Sequence, residues 1–393
     1  MIKLISIMRT LSDIRYFDGV NVLVRVDFNV PITNGLVSDY RRILAVLPTV
    51  DFLRKRGATV ILVSHLESAD GGKHSLRPVA DHLDKLRRPV VFMDEMRGVH
   101  ERIEAIKQSS SGSDQADKAP PIFLLENLRF FDGEMTNDVG FARELASLAD
   151  IYVNDAFSVS HREHASIVGV PAIIPAYVGL QMEKEIAHLT RAFDPVHPFL
   201  FILGGEKFET KLPLVERFLG VADNIFIGGA LANDALKAKG YDVGSSKVSG
   251  SDLGISSIVN RSKISLPLDV VVQDHVEKGL DAVSAGDIIL DAGPKTCAFL
   301  KEKTAEARFI VWNGPLGLYE DGYKEATLEV AKMVAAATVR GAVTLVGGGD
   351  TLAAISALGI DDSFTFVSTG GAAMLDFLAK GTLPGIRALE ASE

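Results

Sequence analysis

Cysteine is nearly missing from this chain: Cys297 is the one copy in 393 residues. A single thiol excludes an intrachain disulfide framework and a cysteine-built metal site, and it fits a reducing compartment. Long apolar runs are missing too. Nothing approaches membrane-spanning length. The short patch Met1–Met8 is interrupted by Lys3 and lacks the core and cleavage site of a signal peptide, so the expectation is a soluble, cytoplasmic protein. Positive charge is in deficit. Lys and Arg number 41 against 51 Asp and Glu, giving a net charge of -10 and a pI near 5.5. That balance argues against nucleic-acid and membrane-surface partners, and any anionic ligand must be met by a local basic cluster. A P-loop is also lacking, because no Lys-Ser or Lys-Thr follows the glycines of Gly347–Gly349.

What is present is apolar and periodic. Hydrophobic residues make up 47% of the chain, and 393 residues are too many for one core, so two or three domains are expected. Short Val/Ile/Phe-rich runs alternate with longer helical patterns. The first half carries Asn21–Val26, Thr59–Val63, Pro89–Met93, Ile122–Leu125 and Ile151–Val153. The second carries Phe199–Leu203, Asn224–Ile227, Leu268–Val272, Phe309–Trp312, Val343–Val346 and Phe364–Val367. Near-continuous apolar runs separated by helices predict buried parallel strands in right-handed βαβ units. Ile43, Val46, Leu47, Val50 and Leu53 fall on one helical face, and Ser75 is a candidate N-cap for a second helix. The polar stretch Gln108–Pro120 reads as an exposed loop. Four prolines between Pro171 and Pro198 bracket a helical pattern, Gln181–Phe193, which suggests a connector between two α/β halves. The resulting expectation is an α/β chain of two Rossmann-like domains, each a parallel sheet with helices on both faces. The boundaries are 1–172 with a returning tail 380–393, a hinge region 173–195, and 196–379.

Polar residues concentrate where the runs stop, and in open α/β sheets ligands bind beyond the carboxyl ends of strands. In the first half these positions hold Asp27 and Asn29, Ser64 and His65, Glu126, Asn127 and Arg129, then Asn154, Asp155, His161, Arg162 and His164; Arg42 opens the first helix. One reading is a pocket for a small anion gripped by planar Arg forks; the other is that each Arg caps a helix or pairs with a nearby acid. His161 and His164 lack further ligands at metal-binding spacing, which favours anion contact or local structure over a metal.

In the second half the runs stop at glycine turns: Gly204-Gly205, Gly228-Gly229, Asn313-Gly314, Gly347–Gly349 and Gly370-Gly371. Lys207 and Lys211 are four apart and share a helix face. The stretch VTLVGGGDT, Val343–Thr351, is strand, glycine turn and helix opening. It is either a tight turn or a cradle for phosphate, with Asp350 available to Mg²⁺. Five such turns at one edge favour a nucleotide site, with Glu320 placed to accept from ribose hydroxyls. A small anion in one half and a nucleotide in the other suggest phosphoryl transfer, which depends on positioning and charge neutralisation and benefits from closure that expels water.

At these residues the chain resembles the phosphoglycerate kinase family, essentially end to end. The segments are RVDFNVP (Arg25–Pro31), SHL (Ser64–Leu66), LLENLRF (Leu124–Phe130), YVNDAF with HREHAS (Tyr152–Ser166), LGGEKFETK (Leu203–Lys211), VWNGPLGLYE (Val311–Glu320), GGGDT (Gly347–Thr351), STGG (Ser368–Gly371) and TLPGI (Thr382–Ile386). The resemblance implies ATP and 3-phosphoglycerate as substrates, Mg²⁺, and a monomer of two domains separated by a deep cleft, with the tail returning to the N-terminal domain. It implies that Asp27, Asn29, Arg42, His65, Arg129 and Arg162 bind the acid. It assigns Lys207, Lys211, Asn313, Glu320, Gly348, Gly349, Asp350 and Thr351 to the nucleotide, with Asp350 also holding the metal. Arg42, Lys207, Lys211, Gly370 and Gly371 would act on the transferring group.

Three places in the chain depart from that family's pattern. Glu67, Ser68 and Ala69 stand where it has Gly-Arg-Pro, so an Arg is lost and a carboxylate gained beside an anion pocket. Ala372 replaces the third glycine of STGGG, and Glu206 replaces a small residue. The alternatives to an active kinase are therefore a diverged paralogue with altered substrate affinity, or a nucleotide-binding scaffold without catalysis. The second is disfavoured by the presence of Arg42, Lys207, Lys211 and Asp350.

Overall fold

The computed structural model describes residues 8–14, 16–67, 71–110, 120–206, 208–249 and 254–392. The chain divides into two units. The first runs to Ala187 and takes back the chain from Thr382 onward; the second is His188–Gly381.

In the first unit the apolar runs become β1 (Asn21–Arg25), β4 (Thr59–Val63), β5 (Val90–Met93), β6 (Ile122–Leu125) and β7 (Ile151–Asn154). A short ribbon, β2 (Ile32–Thr33) with β3 (Leu36–Val37), stands apart, and β8 (Ala176–Val178) joins the edge. The main sheet is parallel throughout, in the order β5-β6-β4-β1-β7-β8. Val22, Val24, Val60 and Leu62 pack one face against Ile43, Val46 and Val50 of the helix Arg41–Arg54, so the apolar period of that helix is its buried stripe. Leu23, Ile61 and Phe123 on the other face are equally buried, which is why these strands read as continuous apolar runs. Arg25 is in register with Val63 and Asn154, so Asp27, His65 and Asp155 leave the sheet side by side.

β8 pairs with β7, the first unit extends through Ala187, and the helix Leu180–Thr190 runs on into the second. Several expectations are corrected. The helix after β4 is Arg77–Lys85 with Leu76 at the N-cap position, not Ser75. Leu76 is buried and donates its N–H to Glu126, although the Ser75 hydroxyl still accepts from Arg77. Glu126 and Asn127, two of the polar residues at this sheet edge, tie loops together: Glu126 accepts from Ser75 and Leu76, and Asn127 accepts from Leu66 and Arg129 and donates to the His74 carbonyl. Gln108–Ser110, expected in a loop, end the helix Val99–Ser110; residues 111–119 lie outside the described residues.

The second unit repeats the plan. Its main sheet is β9 (Phe199–Leu203), β10 (Asn224–Ile227), β11 (Ile264–Ser265), β15 (Phe309–Asn313), β16 (Val343–Gly347) and β17 (Phe366–Val367), all parallel, in the order β11-β10-β9-β15-β16-β17. The run Leu268–Val272 does not join it. It forms β12 (Asp269–Val272), antiparallel to β13 (Val276–Gly279) and β14 (Ile289–Ala292). Only Gln273–His275 separates β12 from β13, and three residues cannot carry the crossover that a parallel pair needs. The returning segment forms a helix, Pro384–Glu390, that buries Leu383, Ile386 and Leu389 and donates the Gly385 N–H to the Ser160 carbonyl at 2.8 Å. Among the described residues no helix is long and apolar enough to cross a membrane.

Candidate active site

At the edge of the first sheet, Asp27 organises the turn that leaves β1. Its Oδ1 accepts the Asn29 N–H at 2.9 Å, and its Oδ2 lies 2.9 Å from Arg42 Nη1 and accepts a short hydrogen bond from Ser158. Burial pushes this carboxyl up, but Arg42 and the two hydrogen bonds outweigh it and its pKa falls below the ordinary value. Arg42 also donates to the Asn29 carbonyl at 2.9 Å. It lines a cavity of about 760 Å³ with Asn29, Leu66, Glu67, His74 and Ser75.

Behind this wall the site is strongly cationic. His65 is 1% exposed, and its Nδ1 lies 3.3 Å from Nη2 of the buried Arg25. Burial and the cations Arg25, Arg129 and Arg162 hold its pKa well below the imidazole range. Arginine only donates, so Nδ1 accepts and the ring proton sits on Nε2. Arg25 Nε donates to Ser166, whose hydroxyl passes on to the buried Glu134. Arg129 is 1% exposed; its Nη1 lies 3.3 Å from His164 Nδ1, and its Nε lies 2.6 Å from Glu67 Oε1. Burial and the same cluster of arginines push His164 down to about 3. Arg162 is exposed, yet its charge is felt by His65, Arg129 and His164, so it stands beside them. The structure thus brings Asp27, Asn29, Arg42, His65, Arg129 and Arg162 to one edge.

In the second unit the glycine turns interlock. Gly205 donates to the Pro315 carbonyl at 2.9 Å and Gly204 to that of Asn313 at 2.9 Å. A Cβ on Gly204 would stand 2.1 Å from the Pro315 oxygen, so only glycine permits that approach. Around them a recess of about 270 Å³ is lined by Gly205, Lys211, Asn313, Gly314, Gly349 and Asp350. It shares Gly205, Pro315 and Asp350 with a more apolar cavity of about 310 Å³ walled by Leu236, Pro267, Leu290 and Leu316, with Glu320 at its side. An anion recess beside an apolar slot suits a nucleotide.

Lys211 donates from Nζ to the Gly204 carbonyl, and burial pulls its pKa down to about 8 against the opposing pull of Asp350. Asp350 is itself raised, chiefly by burial and then by Glu320. Thr351 is fully buried, and its hydroxyl accepts the Gly314 N–H at 3.0 Å, so it fixes the neighbouring turn. Gly370 donates its N–H to Ser368 Oγ at 3.1 Å, and Gly371 stands at the N-cap of the helix Ala372–Lys380. Ala372 begins that helix and has no positive φ, so its methyl is accommodated. Glu206 is paired with Lys247. Lys207, Ser68 and Ala69 lie outside the described residues.

Sequence reasoning missed Arg25, Ser158 and Asp291. Arg25 sits at the end of an apolar strand, and a buried cation there was the available signal. Asp291 lines the apolar cavity and is pushed up to about 7, mainly by burial, although it accepts the N–H groups of Ala292 and Ala326. Among the described residues no cluster of three metal-ligating side chains occurs. A lone carboxylate such as Asp350, opening on a phosphate-sized recess, fits Mg²⁺, which keeps several waters and takes its remaining oxygens from phosphates.

Comparison with known proteins agrees with this geometry. The family model described as Phosphoglycerate kinase matches residues 11–381. The phosphoglycerate kinase of Dictyoglomus turgidum is 41% identical over 402 residues, covering 97% of this chain and 99% of the relative. That of Thermosipho africanus is 40% identical over 402 residues, covering 97% of each. Among solved structures, phosphoglycerate kinase from Coxiella burnetii superposes with a TM-score of 0.81 at 34% identity, covering 97% of this chain and 98% of that one. The Pyrococcus horikoshii enzyme gives 0.84 at 32%, covering 98% and 99%. Matches of this length and identity leave one assignment: the chain belongs to the phosphoglycerate kinase family.

Proposed function

We propose that this chain transfers a phosphoryl group reversibly between ATP and 3-phosphoglycerate, giving ADP and 1,3-bisphosphoglycerate, as a cytoplasmic monomer that uses Mg²⁺. The observation that carries the reading is positional. In a chain of this family, the described residues assigned to substrate lie at or beyond the carboxyl ends of the parallel strands, except Arg42, which opens the helix after the β2–β3 ribbon.

The first unit binds the acid. Arg42, oriented by Asp27, presents its fork to the cavity, and the neutral His65 offers its Nε2 proton to an anion. In the second unit Lys211 and the Gly371 and Ala372 N–H groups neutralise the phosphates, with Asp350 holding Mg²⁺. When bound, the metal supplies charge neutralisation at phosphate oxygens. A carboxylate oxygen of the acid attacks the γ-phosphorus, the bond to the bridging oxygen of ADP breaks, and no proton need move. The protein's part is alignment and charge, which is where phosphoryl-transfer enzymes obtain their rate.

A coupled assay with ATP, Mg²⁺ and 3-phosphoglycerate tests this. Turnover is expected, and its absence alongside intact nucleotide binding would overturn the reading. A diverged member with weakened acid binding is the second reading, favoured by the carboxylate of Glu67 lying on Arg129.

A further inference from the structure

Glu67 is where this chain leaves the family pattern, and its placement is specific. Its N–H donates to Asn29 Oδ1 at 3.0 Å, and its backbone bridges antiparallel to Lys73. The side chain turns inward, with Oε1 2.6 Å from Arg129 Nε. Glu67 lines the 760 Å³ cavity, whereas Arg129 does not and is 1% exposed. The carboxylate therefore stands between the cavity and the guanidinium. Arg129 has two buried nitrogens, Nη2 and Nε, with no hydrogen-bond partner, so Nε meets Glu67 as an ion pair without hydrogen-bond geometry and the fork is not satisfied by it. Two further cations, Arg25 and Arg162, crowd it, and of its charged neighbours Glu67 is the one that most favours its cation.

Resting on the function proposed above, we propose that Glu67 is a specificity-determining residue: a built-in anion that occupies Arg129 until an anionic group of the acid displaces it. Affinity for the acid is then set by an exchange of one anion for another. A dianionic phosphate gains from that exchange, whereas a monocarboxylate replaces like with like. The chain thereby discriminates for phosphorylated acids while lowering its affinity for all of them.

The test is Glu67→Gln, with Glu67→Asp as the conservative control, read by calorimetric binding and by steady-state kinetics. A tethered ionic contact of about 1.4 kcal/mol corresponds to tenfold in affinity. Glu67→Gln should therefore lower Kd and KM for 3-phosphoglycerate by about three- to tenfold. KM for ATP should stay near wild type, thermal stability should fall because the buried Arg129 loses its counter-ion, and Glu67→Asp should restore weaker binding. Glu67 acting only to orient Arg129 predicts the opposite, a raised Kd in Glu67→Gln. A raised or unchanged Kd overturns the proposal. Inorganic phosphate is the second probe: its binding should tighten in Glu67→Gln even if no turnover is found, so failure of the exchange and failure of the kinase reading are told apart.

Discussion

Arg42 and Lys211 show how environment assigns work to a side chain. Arg42 is fixed by Asp27 and the Asn29 carbonyl yet remains one-third exposed on the cavity wall. Arg42→Ala should lower kcat by about 10³-fold, the scale of an arginine that stabilises a transferring phosphoryl. The fold should persist, because Asp27 keeps its bonds from Ser158 and Asn29; circular dichroism alongside the assay separates the two effects. Lys211 carries a pH signature. Its pKa falls from 10.5 to about 8 in the folded chain, so between those values the unfolded chain binds more protons and stability rises with pH. Its charge is lost over the same range, so affinity for ADP in titrations should weaken as pH climbs through about 8, and Lys211→Met should remove that limb. Residue types and spacing made most of these positions legible, because a cation or carboxylate at the end of an apolar strand is conspicuous. Arg25 carried the same signal, ending an apolar strand, whereas the direction of Glu67 was not legible. Which way a side chain turns depends on loops packed against it from other strands.

Among elements, the helix Leu180–Thr190 shows what a period cannot reveal. Its apolar pattern was readable, but its opening is built by Asp155, a residue 25 positions upstream of Leu180 whose Oδ1 accepts the N–H groups of Gln181 and Met182 at 2.8 and 3.0 Å. Gly179 lets the two approach, since a Cβ there would stand 2.3 Å from that oxygen. Burial raises Asp155 from 3.8 to about 6. The folded state then binds more protons between those values, so this group's contribution to stability falls as pH rises through about 4 to 6 and is constant above. Asp155→Asn keeps the acceptor and removes the charge. Denaturant unfolding of that variant across pH 4 to 7 should show the decline abolished, with stability at neutral pH equal to or above wild type. The three-stranded sheet of β12, β13 and β14 was misread for a related reason. Composition marked β12 as a strand, but the brevity of the link to β13 decided its direction.

For the molecule as a whole, the repeated α/β plan was legible because the central strands β1, β4, β6, β9 and β15 are buried along their whole length and so spell themselves in apolar residues, whereas the short edge strands β8 and β11 were not read. The closing of the first unit by the chain's end was carried only by resemblance. That segment buries Leu383, Ile386 and Leu389, and the Ser392 hydroxyl accepts the Ala176 N–H at 3.0 Å. Three aliphatic side chains at roughly 2 kcal/mol each amount to about 6 kcal/mol, a large share of the stability of an ordinary domain. Deleting the residues after Gly381 should therefore speed amide exchange throughout the first sheet while leaving the second sheet protected, as read by exchange mass spectrometry.

The same segment sets an order of synthesis. His188–Gly381 is one uninterrupted stretch, complete as soon as it has left the ribosome, whereas the first unit began earlier and waits for the residues after it. The second unit is thus finished while the first still lacks a wall, although the first was begun earlier. A released chain that ends at Gly381 holds a finished second unit and an open first one, with the surface that Leu383, Ile386 and Leu389 would cover exposed to chaperones.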